Sequence, residues 1–158
     1  MPSLHPGLPG TKEAYGLSLI RADGSVFLPP KASAHYGLVD SDQVLLMTTH
    51  RGEGGFAVAR RQTAARSVFA RFMAQLSAPD TVAWFDAKAY ALTGFSDGRI
   101  HLTPALLDAY HVTVGQRVMV VKSTTVVMSC TPVEIWERKF AQRGMRVEVE
   151  NIQKLDVF

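Results

Sequence analysis

Residues 14–47 read AYGLSLIRADGSVFLPPKASAHYGLVDSDQVLLM and residues 89–121 read AYALTGFSDGRIHLTPALLDAYHVTVGQRVMVV; laid over each other, they are one pattern written twice. From the first turn onward the offset is 74, so that Asp23 falls on Asp97, Gly24 on Gly98, Leu28 on Leu102, Pro30 on Pro104, Tyr36 on Tyr110 and Val44 on Val118. Apolar Val26, Leu38 and Leu46 meet Ile100, Val112 and Val120. The match is that of an internal repeat, each copy reading as one supersecondary unit.

Each copy predicts the same elements in the same order. An apolar strand runs into Asp-Gly, whose glycine accepts the positive φ of a tight turn. A second strand follows with alternation at Val26 and Leu28, or at Ile100 and Leu102. A short helix comes next: Pro30 or Pro104 suits its first position, Thr103 is a candidate N-cap, and Gly37 suits the left-handed end of the first one. A third strand carries Val44 to Met47 or Val118 to Val121, and a fourth is expected at residues 55–58 and 132–136, the second copy needing about three extra residues to reach it.

Around the copies the chain divides into a loose arm over 1–13, a first repeat over 14–60, a connector over 61–78, a second repeat with a trailing helix over 79–143, and a tail over 144–158. In the connector Ala65, Val68, Phe69, Phe72 and Leu76 recur at helical spacing, predicting one amphipathic helix of about four to five turns. Residues 145–150 alternate apolar and charged, the pattern of a half-buried edge strand.

Composition bounds the function. A chain of 158 residues buries enough surface to fold without disulfides or metal, and its single Cys130 makes neither a bridge nor a thiolate cluster. The reading is a protein of the cytoplasm, nucleoid-associated if it binds DNA; the start has no apolar leader, and the most apolar stretch, 112–130, is interrupted by charge. The five histidines show no metal-ligand spacing, and no nucleophile elbow or carboxylate pair stands out, so neither a cofactor nor an enzyme is expected. Residues 51–55, RGEGG, lack the Lys-Ser/Thr of a phosphate loop and read as a turn.

The net charge of +3 is local: acids and bases cancel over 1–60, 78–123 and 124–158, and the excess is Arg61, Arg66 and Arg71. With Arg60 these form a basic patch able to attract phosphates, though such a patch also serves simply to solubilise a connector. Arg21 and Arg99 stand beside the two Asp-Gly turns, Lys31 opens the first short helix, and Arg51 extends the strip.

The segment DGRIHLTPALLDAYHVTVGQRVMVV resembles the signature of the SpoVT/AbrB family, and DGSVFLPPKASAHYGLVDSDQVLLM is similar in outline. Two such copies, with EIW before a helix, also resemble the family's MraZ branch. The resemblance implies a mainly β fold with short helices, in which two tandem AbrB-like repeats interleave as a swapped-hairpin β-barrel joined by the amphipathic helix. It further implies a transcription regulator that binds duplex DNA, with Arg99 matching the arginine of the family's Gly-Arg turn. The first copy has Ser25 there, and the short helices carry Ala34, His35, Asp108 and Ala109 where the family often has basic residues. Two readings therefore stay open. One is a DNA-binding regulator using Arg21, Lys31, Arg99, Arg51, Arg60, Arg61 and Arg66. The other is a protein-interaction or assembly module, antitoxin-like or a structural subunit, with DNA binding weak or lost. A homo-oligomer, dimer or ring, is compatible with either.

Overall fold

The computed structural model describes residues 14–49, 53–76, 78–145 and 150–158. The first repeat forms β1 (Ala14–Leu19), β2 (Ser25–Phe27), α1 (Pro30–His35), β3 (Asp42–Thr48) and β4 (Phe56–Arg60). The connector holds α2 (Arg61–Ala64) and α3 (Ala70–Met73), and β5 (Ala83–Phe85) follows it at the start of the second-repeat segment. The second repeat forms β6 (Lys88–Phe95), β7 (Arg99–His101), α4 (Pro104–Ala109), β8 (Arg117–Lys122), β9 (Val127–Pro132) and α5 (Val133–Gln142).

Local chemistry explains the repeated elements. Pro30 and Pro104 open their helices, and the Thr103 hydroxyl accepts the Leu106 N–H at 3.3 Å, closing the N-terminus of α4. The turns account for the one-residue gap between the copies. In the first, Arg21 and Ser25 flank a three-residue loop ended by Gly24 at φ +83°; in the second, Ser96 and Arg99 flank only Asp97 and Gly98, both at positive φ.

Pairing follows a two-fold pattern. β1 pairs with β8 and β3 with β6, in matching register: Leu17 faces Met119 as Leu92 faces Leu45. β3 pairs with β4 as β8 does with β9, while β4 with β9 and β2 with β7 join the copies across the axis. The fourth strand of the second copy is Val127–Pro132, with Arg60 equivalent to Pro132, so this copy is two residues shorter there and not longer. Of the strand expected at 132–136, Pro132 ends β9 and residues 133–136 are instead the first turn of α5. Val133 and Ile135 alternate over too short a window to exclude a helix, and Val133, Trp136 and Phe140 then fall on one helical face.

The hydrogen-bonded ladder is open, which corrects the expectation of a closed barrel. Seven antiparallel strands run in the order β1-β8-β9-β4-β3-β6-β5, and β2 with β7 forms a separate ribbon. The free edge of β6 is taken by β5, and that of β1 by residues 156–158: Leu17 N–H donates to the Asp156 carbonyl at 2.8 Å and Phe158 N–H to the Leu17 carbonyl at 2.7 Å. Neither strand has an edge left to close a ring. Of the tail expected as an edge strand at 145–150, residues 146–149 lie outside the described residues, as does the 1–13 arm; Glu150 begins a helical turn.

Both faces of the sheet are covered, which is why its central strands are continuous apolar runs. On one face Val44, Leu46, Val118 and Val120 join Val26, Ile100, Leu106 and Tyr110 in the main core beneath the ribbon and α1 and α4. On the other, Leu45 and Met47 pack under the connector, and Met119 and Val121 under α5. Full burial of each such side chain contributes roughly 1.5–3 kcal/mol before entropy is counted. The connector is two single-turn helices where the apolar spacing predicts one long helix. Ser67 causes the break: its hydroxyl donates to the Ala64 carbonyl at 2.7 Å and accepts the Phe69 N–H at 3.2 Å, taking groups that a continuous helix would use.

Candidate nucleic-acid interface

The β2–β7 ribbon pairs Ser25 with His101, Val26 with Ile100 and Phe27 with Arg99. Val26 and Ile100 are fully buried, so strand alternation turns Phe27, Arg99 and His101 to the opposite, outer face. There two guanidinium groups meet one ring: the Arg21 guanidinium carbon lies 4.9 Å and that of Arg99 5.4 Å from the Phe27 centroid. Each contact is a cation–π interaction of order 0.5–1 kcal/mol at an exposed site, and the ring fixes where both charges stand.

This meeting depends on a break in the repeat. Each hairpin base carries one arginine and one serine, but in opposite order: Arg21 and Ser25 in the first copy, Ser96 and Arg99 in the second. Strict symmetry would have placed the two arginines on opposite ends of the ribbon. The exchange gathers them on Phe27.

The ribs beneath are held from across the axis. Leu102 N–H donates to the Gly24 carbonyl at 2.8 Å, and Leu28 N–H donates to the Gly98 carbonyl at 3.0 Å, so each turn is anchored by the other copy. Acids border the rim as well. Asp23 accepts the Ser25 N–H at 2.9 Å; hydrogen bonding from Ser25, with His101 adding a smaller attraction, holds its carboxyl below the usual range. The Asp97 N–H donates to Asp40 Oδ1 at 3.0 Å.

Of the other expected site residues, Lys31 is exposed on α1. Arg60 and Arg61 are engaged elsewhere: Arg60 Nε lies 2.9 Å from Asp42 Oδ2, and Arg61 donates to Gln43 Oε1 at 2.6 Å. The Val39 N–H first, then Arg60, keep the Asp42 carboxyl below its ordinary value against the opposing effect of burial. Arg66 is exposed between α2 and α3, on the layer over the other face of the sheet, and Arg51 lies outside the described residues. The continuous basic strip drawn from the sequence therefore resolves into a pair at the ribbon and separate, partly committed cations. Phe27 was the residue that sequence reasoning missed, although an aromatic between core residues Val26 and Leu28 marks an outward position by alternation.

Among the described residues no group of three His, Cys, Asp or Glu side chains is arranged to hold a metal, and no helix is long and apolar enough to cross a membrane. Cys130 is fully buried in β9, and burial pushes its thiol far above the ordinary range. Compared with protein-family models, curated proteins and solved structures, the chain matches none.

Proposed function

We propose that the chain is a DNA-binding regulator of the SpoVT/AbrB type, in which two repeats exchange hairpins to form one pseudo-symmetric unit and present the ribbon rim to phosphates. The matching registers of β1 with β8 and β3 with β6, and the turns anchored in the opposite copy, support the hairpin exchange. The observation that carries the functional reading is the Arg21–Phe27–Arg99 cluster: two fixed charges from two copies, with no carboxylate within ion-pair distance among the described residues. Arginines held this way suit phosphate oxygens. Binding of this kind is dominated by counterion release and falls steeply with salt.

A second reading, an assembly module, is favoured by Trp84, which is 58% exposed on edge strand β5, and by Val68 at 77%. A salt titration of binding to random and promoter-derived duplexes, with the mass of the particle read in the same buffer, separates the two. Salt-sensitive binding supports the regulator. Absence of binding at low salt, with a mass above that of one chain, overturns it in favour of assembly.

A further inference from the structure

Beside the rim, between α1, the β2–β7 ribbon and the end of β6, is an open groove of ≈ 700 Å³. Its walls are apolar, with Phe27, Leu38, Val39 and Phe95, and its charged lining has both signs: Arg21, Asp40 and Asp97. Ser33 also lines it, and its hydroxyl is buried without a hydrogen-bond partner among the described residues.

Its origin lies in the repeat. Ser33 and Ala34 stand where the second copy has Leu107 and Asp108, and Leu107 packs against the main core. The first copy lacks a leucine side chain at that point, and its serine has no hydrogen-bond partner among the described residues. A concave apolar site with a few convergent polar groups, within the usual range of about 300–1,000 Å³, has the make-up of a small-ligand site.

We propose that this groove binds a small apolar zwitterion, of the size of a free hydrophobic amino acid or dipeptide. The ligand's carboxylate takes the Arg21 guanidinium, its ammonium takes Asp40 or Asp97, and its side chain fills the space that Leu107 occupies in the other copy. A ligand with one charge leaves the opposite group unpaired, and a polar one forfeits the walls. The site is inferred independently of DNA binding, although a ligand on Arg21 would compete with phosphate for the same guanidinium.

The test is calorimetric titration of L-phenylalanine and of leucyl-phenylalanine into the full chain, with 3-phenylpropionate and phenethylamine as single-charge controls. Saturable binding is expected for the zwitterions and roughly tenfold weaker binding for each control. Ser33→Leu copies the residue that the fold already accepts in the second repeat, so it should weaken binding roughly tenfold or more while leaving the Arg21–Phe27–Arg99 rim in place. Arg21→Gln, an exposed change, should weaken it comparably and serves if Ser33→Leu does not fold. No binding of either zwitterion at millimolar concentration, or equal affinity in wild type and both folded variants, overturns the proposal. DNA binding measured on Ser33→Leu separates the two claims: retained there with ligand binding abolished, it leaves the regulator reading untouched.

Discussion

Alanine at the two turn glycines offers a controlled comparison within one molecule. Gly24 and Gly98 have nearly the same backbone, φ +83° and +76°, and equivalent places in the repeat. Their surroundings differ. A Cβ on Gly24 would overlap the Leu102 carbonyl oxygen, which belongs to a backbone already tied to the Gly24 carbonyl, whereas a Cβ on Gly98 meets nothing nearer than the Phe27 ring at 3.9 Å. Gly98→Ala should therefore cost only the left-handed strain, about 1–2 kcal/mol. Gly24→Ala adds overpacking of about 1–3 kcal/mol to that strain, for a total of about 2–5 kcal/mol, and of about 3–6 kcal/mol if the Leu102 hydrogen bond also gives way. Urea unfolding followed by far-UV circular dichroism, fitted with a common m-value, reads both. Equal losses in the two variants would refute the argument that the first turn is clamped by the second copy.

Three further outcomes follow from the same geometry. The short helices end at equivalent left-handed positions, Gly37 at φ +70° and His111 at +52°, so Gly37→Ala should cost about 1 kcal/mol and His111→Gly should gain up to about 1 kcal/mol by thermal or urea unfolding. Asp42→Ala removes an acceptor shared by the Val39 N–H and Arg60 and should cost about 1 kcal/mol at neutral pH. Because the Asp42 carboxyl is held below its unfolded value of about 3.9, its contribution is complete above that pH and disappears as pH falls through the folded value; the stability difference between wild type and Asp42→Ala should shrink in that acid window.

How far the sequence discloses this molecule is seen best at particular residues. The repeat, the Asp-Gly turns, the proline-led helices and the Thr103 cap were all legible, because each rests on local chemistry that tertiary packing did not override. Three things were not. The break at Ser67 needed knowledge that its hydroxyl would compete for backbone groups, which helical spacing of the apolar residues conceals. The helix at Val133 shares its first residues with a strand pattern, and only the place of Phe140 on the same face decides it. The open sheet depends on which segments take the free edges of β1 and β6, and residues 156–158 gave no strand signal of their own. The candidate site was half legible: Arg21 and Arg99 were singled out by their turns, but Phe27 and the exchange of arginine and serine between the hairpins emerge only once the strands are paired.

The proposal of DNA binding is tested most directly by the salt dependence of duplex affinity in wild type and in an Arg21→Ala, Arg99→Ala double variant. Both residues flank turns, Arg21 exposed and Arg99 half-buried on the outer face of β7, so the fold should survive; circular dichroism confirms it before binding is measured. The account predicts that the plot of log affinity against log salt becomes shallower in the variant by about 0.9 for each phosphate no longer neutralised, up to about 1.8, with affinity falling on every duplex. An unchanged slope and affinity in the folded double variant would contradict it.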